Sequence, residues 1–114
     1  MSSNEPLYQV DIEQHLLNLG SRLESEVEAF HKLAVDRAEA EAEYKRLYHR
    51  ALIQSPDGTV AKKESLAHLA SASAFHTWKL AEAQEKATQQ KLMALRTQID
   101  STRTMAANVR AAGG

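Results

Sequence analysis

The stretch Gln54-Ser55-Pro56-Asp57-Gly58-Thr59 decides the fold. It holds the only proline beyond the first ten residues and a turn-forming Asp-Gly pair, and it lies between two long stretches almost free of helix breakers. The chain therefore reverses here. Upstream, from Asp11 to about Ile53, Gly20 is the only breaker. Apolar residues fall at Ile12, Leu16, Leu19, Leu23, Val27, Phe30, Ala34, Ala38, Tyr44, Tyr48 and Leu52, in steps of three, four and once six that follow one helical face. Downstream, Thr59 is placed to cap a second helix reaching about Arg110. Its seam is Trp78, Ala81, Glu85, Thr88, Leu92, Leu95, Ile99, Thr102, Ala106 and Val109, alternately three and four apart as in a coiled coil.

These signals predict an all-α fold, a long antiparallel helical hairpin of coiled-coil type. Residues 1–114 form one domain: 1–10 a flexible N-terminus, 11–53 the first helix, 54–59 the turn, 60–110 the second helix and 111–114 a frayed tail. Asp11 would cap the first helix, and Gly20 offers a break that would turn its start into a short extra N-terminal helix. Positions mirrored about the turn pair Leu47 with Leu66 and Leu33 with Leu80. Glu28 with Lys32, Glu41 with Lys45 and Glu82 with Lys86 stand in the favourable i,i+4 order.

With 114 residues and 12.6 kDa there is room for one core, and nineteen alanines against 5% aromatics make it thin. Two Ala-rich helices that each bury one stripe gain little against the entropy of ordering them. Self-association into a helical bundle or ring is therefore expected. Its interface is assigned to Trp78, Leu92, Leu95, Ile99 and Val109, because the opposing end of the first arm is largely polar.

Several function classes drop out. Without cysteine there is no thiol chemistry and no thiolate metal site. His15, His31, His49, His68 and His76 are never three or four apart, so no two make a helix-face metal pair. No Gly-rich phosphate loop or catalytic constellation occurs, and two helices make no shielded cleft. The expectation is a protein that is not an enzyme, with no cofactor, no metal, no small-molecule substrate and no membrane contact. It is expected to be soluble and cytoplasmic, since no apolar run approaches a span and the N-terminus lacks a basic start.

Charge is more informative. Residues 1–44 carry ten acids and three bases, and residues 45–114 carry eleven bases and five acids. Two basic features stand out as candidate nucleic-acid contacts. Around the turn, Lys45, Arg46, His49 and Arg50 end one helix and Lys62 and Lys63 begin the next, diluted only by Asp57 and Glu64. Bases favour a helix C-terminus, but the dipole does not explain Lys62 and Lys63. The second feature is Arg96, Arg103 and Arg110, seven apart, a row about 21 Å long flanked by Thr97, Ser101, Thr104 and Asn108. The same row equally fits ion pairing with the Glu-rich first helix of a neighbour. Trp78 with Phe75 could stack a base, although a tryptophan on a seam more often belongs to a core or interface.

The run Ala38-x-Ala40-x-Ala42-Glu43-Tyr44-Lys45-x-x-Tyr48-x-x-Ala51-Leu52, then a turn, then Ala94-Leu95-Arg96-x-x-Ile99-Asp100 and Ala106-Ala107-Asn108-Val109-Arg110, resembles small helical proteins of tailed bacteriophages. It is most similar to recombination mediators of the UvsY type. The resemblance implies a homo-oligomer of helical hairpins in the host-cell cytoplasm that binds single-stranded DNA, contacts a single-strand binding protein and helps load a recombinase. It places Lys45, Arg46 and Arg50 at the family's basic residues before the turn, and the segment from Leu92 to Val109 in the oligomer contact. A rival expectation is a protein-interaction module, scaffolding or host-factor-binding, with no nucleic-acid role. A secreted hairpin of the WXG type fits less well, because Ser55-Pro56-Asp57-Gly58 stands where Trp-x-Gly should be.

Overall fold

The computed structural model describes residues 4–113. It is an all-α hairpin of two helices, α1 (Asn4–Gln54) and α2 (Val60–Gly113), joined by the loop 55–59. The loop is held by its own polar groups. The Lys62 N–H donates to Thr59 Oγ1 (3.2 Å) and the Lys63 N–H to the Thr59 carbonyl (3.0 Å), so Thr59 caps α2 as its position predicts. On the other side the Ser55 hydroxyl donates to the Ala51 carbonyl (2.7 Å) and satisfies one of the last free acceptors of α1.

Three expected boundaries move. α1 runs unbroken through Gly20, because an isolated glycine costs only about 1 kcal/mol relative to alanine while Leu19 and Leu23 beside it bury their side chains. There is no separate N-terminal helix. Residues 4–10 are helical rather than flexible, and Asp11 lies inside α1 instead of capping it. Pro6 falls in the first turn, where its missing N–H would have had no partner. At the other end α2 continues through Ala111 and Ala112, the residue type with the highest helix propensity, to Gly113.

The chain divides into two compact units, each an antiparallel pair of helix segments. Unit 1 comprises Met1–Ala29 and Thr88–Gly114. Its core is aliphatic: Leu19, only 1% exposed, clusters with Leu95 and Ile99, and Leu16 and Leu23 close over them. Ile12, Leu92 and Ala106 are buried too. Fully burying such a side chain is worth about 1.5–3 kcal/mol. The buried Thr102 costs little, because its hydroxyl donates to the Gln98 carbonyl of its own helix (2.8 Å).

Unit 2 comprises Phe30–Ala87. Only small side chains, Ala67, Ser71 and Ala81, are buried here, which lets α2 lie close to the half-buried rings of α1. Tyr44 meets Phe75 edge-on and stacks on Trp78, both at 5.3 Å, and Tyr48 packs on His68 at 5.0 Å. Deeper in the seam the Arg37 Nε donates to Glu85 (2.7 Å), and a terminal nitrogen of its guanidinium donates to Glu41 (3.1 Å).

All ten predicted seam positions of α2, from Trp78 to Val109, are buried or half-buried. On α1 every predicted position follows suit except Ala38, which is exposed. Arg37 and Glu41 take its place, because continuing in threes and fours from Ala34 leads through 37 and 41 to Tyr44. The mirror pairing also shifts. Ser65 mirrors Tyr48 and His76 mirrors Arg37, yet these residues meet His68 and Glu85. The partners lie three and nine residues further along α2 than counting suggests. The lean of side chains toward the N-terminus of their own helix supplies about one residue of that on each helix, and the reach of the long Arg37 and Glu85 side chains adds to it. Leu66 and Leu80 are accordingly left exposed.

Candidate nucleic-acid interface

The basic end of unit 2 is built by the last three turns of α1 and the first turn of α2. Two of its six bases are engaged. Lys45 pairs with Glu41 (2.9 Å) and Arg46 with Glu43 (2.6 Å), each within α1. The hydrogen bond and charge of Lys45, then the hydrogen bond and charge of Arg37, hold the Glu41 carboxyl below its ordinary value. Arg46 does the same for Glu43, whose field also includes Arg50. Glu41 and Glu43 thus dilute the cluster along with Asp57 and Glu64. Glu41 is the i,i+4 partner that the spacing predicts for Lys45, whereas Glu43, three residues before Arg46 and inside the acidic half of the sequence, is hidden by charge counting in halves.

Arg50, Lys62 and Lys63 form no ion pair among the described residues. Arg50 and Lys62 are exposed, Lys63 is half-buried, and the first turn of α2 carries no acid. That combination presents cations at the positive end of a helix dipole to an anion, with the Lys62 and Lys63 N–H groups already taken by Thr59. In the same unit Tyr44, His68, Ser71, Ala72 and Phe75 line a hollow of about 210 Å³. Phe75 is 42% exposed, and Ser71 and Ala72 leave room for a flat group against the rings.

Trp78 is not a stacking platform. Tyr44 stacks on it and the Lys79 ammonium sits 4.2 Å from its ring centre, so its faces are taken. Its indole Nε1 is buried with no acceptor. Among the histidines, His31 contacts Phe30, and His49 and His68 contact Tyr48.

Arg96, Arg103 and Arg110 are exposed on α2 of unit 1, with no ion pair among the described residues. Arg103 does not face a purely basic surface. It lines a groove with Glu13, Leu16, Leu17, Gly20, Leu23, Glu24 and Ile99, so two carboxylates share its surroundings. The predicted interface residues are also placed differently. Leu92, Leu95 and Ile99 are buried within the chain itself, Leu95 and Ile99 in a cluster with the leucines of α1, and so are not a free contact surface. Trp78 and Val109 are half-buried. The sequence argument undercounted α1, whose Ile12, Leu16, Leu19 and Leu23 cover this seam.

Among the described residues no helix is long and apolar enough to cross a membrane. No protein-family model, curated protein or solved structure matches the chain.

Proposed function

We propose that this is a non-enzymatic protein that binds single-stranded nucleic acid through unit 2. The observation that carries the reading is the set of exposed or half-exposed bases at the loop, Arg50, Lys62 and Lys63, without acidic partners and beside a helix start free of acids. The hollow between Tyr44, His68 and Phe75 supports it, since a base can lie against aromatic walls whatever its sequence. The arginine row plays a lesser part here, because Glu13 and Glu24 in its groove repel phosphate. The resemblance to phage recombination mediators adds the process: holding a single strand while a recombinase is loaded in the infected cell, alongside a single-strand binding protein.

Fluorescence anisotropy with a labelled oligo(dT) tests this. Binding is expected at low salt and should fall steeply as salt rises, because phosphate contacts release counterions. Replacing Arg50, Lys62 and Lys63 with Ala should weaken every sequence alike, and adding Lys45 and Arg46 should weaken binding further. Phe75→Ala should lower affinity with little change in the salt slope. If the folded wild-type chain shows no binding at low salt, the reading fails, and a protein-interaction module with no nucleic-acid role becomes the better account.

A further inference from the structure

We propose that the groove of unit 1 docks a second copy of this chain across a two-fold axis, the acidic edge of each copy meeting the arginine edge of the other. This face adjoins the buried seam, which supplies Ile99 to its floor, and its outer members Val10, Leu17 and Arg103 are exposed; the proposal does not depend on nucleic-acid binding.

α1 carries a second stripe besides the one it buries. Val10, Glu13, Leu17, Gly20 and Glu24 recur at alternating steps of three and four, the spacing of a helix-contact seam. Nothing within the chain covers it: Val10 is 64% and Leu17 69% exposed. Gly20 lies in the stripe, and a Cβ built there meets nothing within 4 Å, so a neighbouring helix can approach closely. On the α2 side, Arg96, Ile99, Arg103, Ala106 and Arg110 repeat the same steps. Glu13, Leu17, Gly20 and Glu24 of the first stripe and Ile99 and Arg103 of the second line one open groove of about 590 Å³, with the two carboxylates on one rim, Arg103 on the other, and Leu16 and Leu23 on its floor; Arg96 and Arg110 are exposed one repeat to either side of Arg103. Neither carboxylate and none of the three arginines has an ion-pair partner among the described residues.

Such a face complements itself. A two-fold axis lying in the contact plane and parallel to the helices carries the acidic rim of one copy over the arginine rim of the other. An axis across the helices would set acid on acid and base on base, so charge selects the first arrangement. The result is four helix segments with antiparallel neighbours and an apolar strip between two charged rims. The stretch from Glu13 to Glu24 is about 18 Å long. That is a small contact, so the dimer should be weak and sensitive to salt.

Sedimentation of the full chain at about 100 μM and low salt tests this, using two double variants, R96E/R103E and E13R/E24R. The wild type should sediment as a dimer and dissociate as salt rises. Each double variant alone should lose affinity on the order of 100-fold, because both rims then carry one sign. An equimolar mixture should regain the dimer, since every contact in the mixed pair again joins opposite charges. Far-UV circular dichroism checks that each variant stays helical. Leu17→Glu, at an exposed position, should abolish association without unfolding the chain. A monomeric wild type, double variants that dimerise as well as the wild type, or a mixture of helical variants that stays monomeric would each overturn the proposal.

Discussion

The two units have the same topology and the same step pattern but hold their helices together with different chemistry. Unit 1 relies on aliphatic side chains that are nearly free of solvent, with Leu19, Leu95 and Ile99 at the centre. Unit 2 has only alanines and a serine buried, and relies on half-exposed rings and the Arg37–Glu85–Glu41 group. The first kind of seam gains free energy from area removed from water, and the second from geometry and from satisfied charge. Unit 1 should therefore tolerate changes of pH and salt, and unit 2 should respond to both.

The largest effect expected from breaking this contrast is Leu19→Ala. Removing a side chain that is 1% exposed should cost about 3 kcal/mol, within the usual range for a buried leucine. The same change at half-buried Leu47 should cost about 1 kcal/mol. Urea unfolding followed by circular dichroism measures both, and equal losses would erase the distinction. Arg37→Ala should come next. It leaves Glu85 and Glu41 without their shared cation, so the melting temperature should drop further than in the Arg37→Ala/Glu85→Ala double variant. Acid sharpens the same point. Because the Glu41 carboxyl is held below its ordinary value, by Lys45 first and by Arg37, its contribution is present above the usual carboxylate range and is lost as pH falls through and below it. The fluorescence of Trp78, the only tryptophan and part of unit 2, should shift with acid in the wild type and shift less in Glu41→Gln. The smallest effect is Gly20→Ala, which should stabilise unit 1 by about 0.5–1 kcal/mol, since the added methyl meets no neighbour.

Much of this was legible in the sequence where chemistry and periodicity agreed. The α2 seam from Trp78 to Val109 could be read position by position, polar members included, because the three-four alternation continued through Glu85 and Thr88. Reading α1 failed at Ala38, where preferring an apolar residue over the period passed over Arg37 and Glu41. A guanidinium counts as surface in any polarity scan, although its stem packs and its head can be satisfied inside a seam. The pairing of Leu33 with Leu80 failed for another reason, since counting from the turn ignores the lean of side chains along a helix. The basic end was visible as a composition but not as a charge balance. The i,i+4 spacing names Glu41 as the partner of Lys45, yet counting the cluster by composition still treats Lys45 as a free base and passes over the i,i+3 pair of Glu43 with Arg46.

The Arg37–Glu85 bridge bears on how the two helices could slip past each other. No backbone hydrogen bond links α1 to α2 among the described residues, and a heptad pattern is by its nature nearly indifferent to a shift of seven residues. Sliding α2 by one repeat would bring Trp78 into the place of Glu85 and set the guanidinium against an indole instead of a carboxylate. The same shift would put Glu85 in the buried place of Leu92 and Thr88 in that of Leu95, so a charge and a hydroxyl would enter positions now held by leucines. Within unit 2 the ion pair thus adds a specific constraint on register to the one already set by the short loop 55–59.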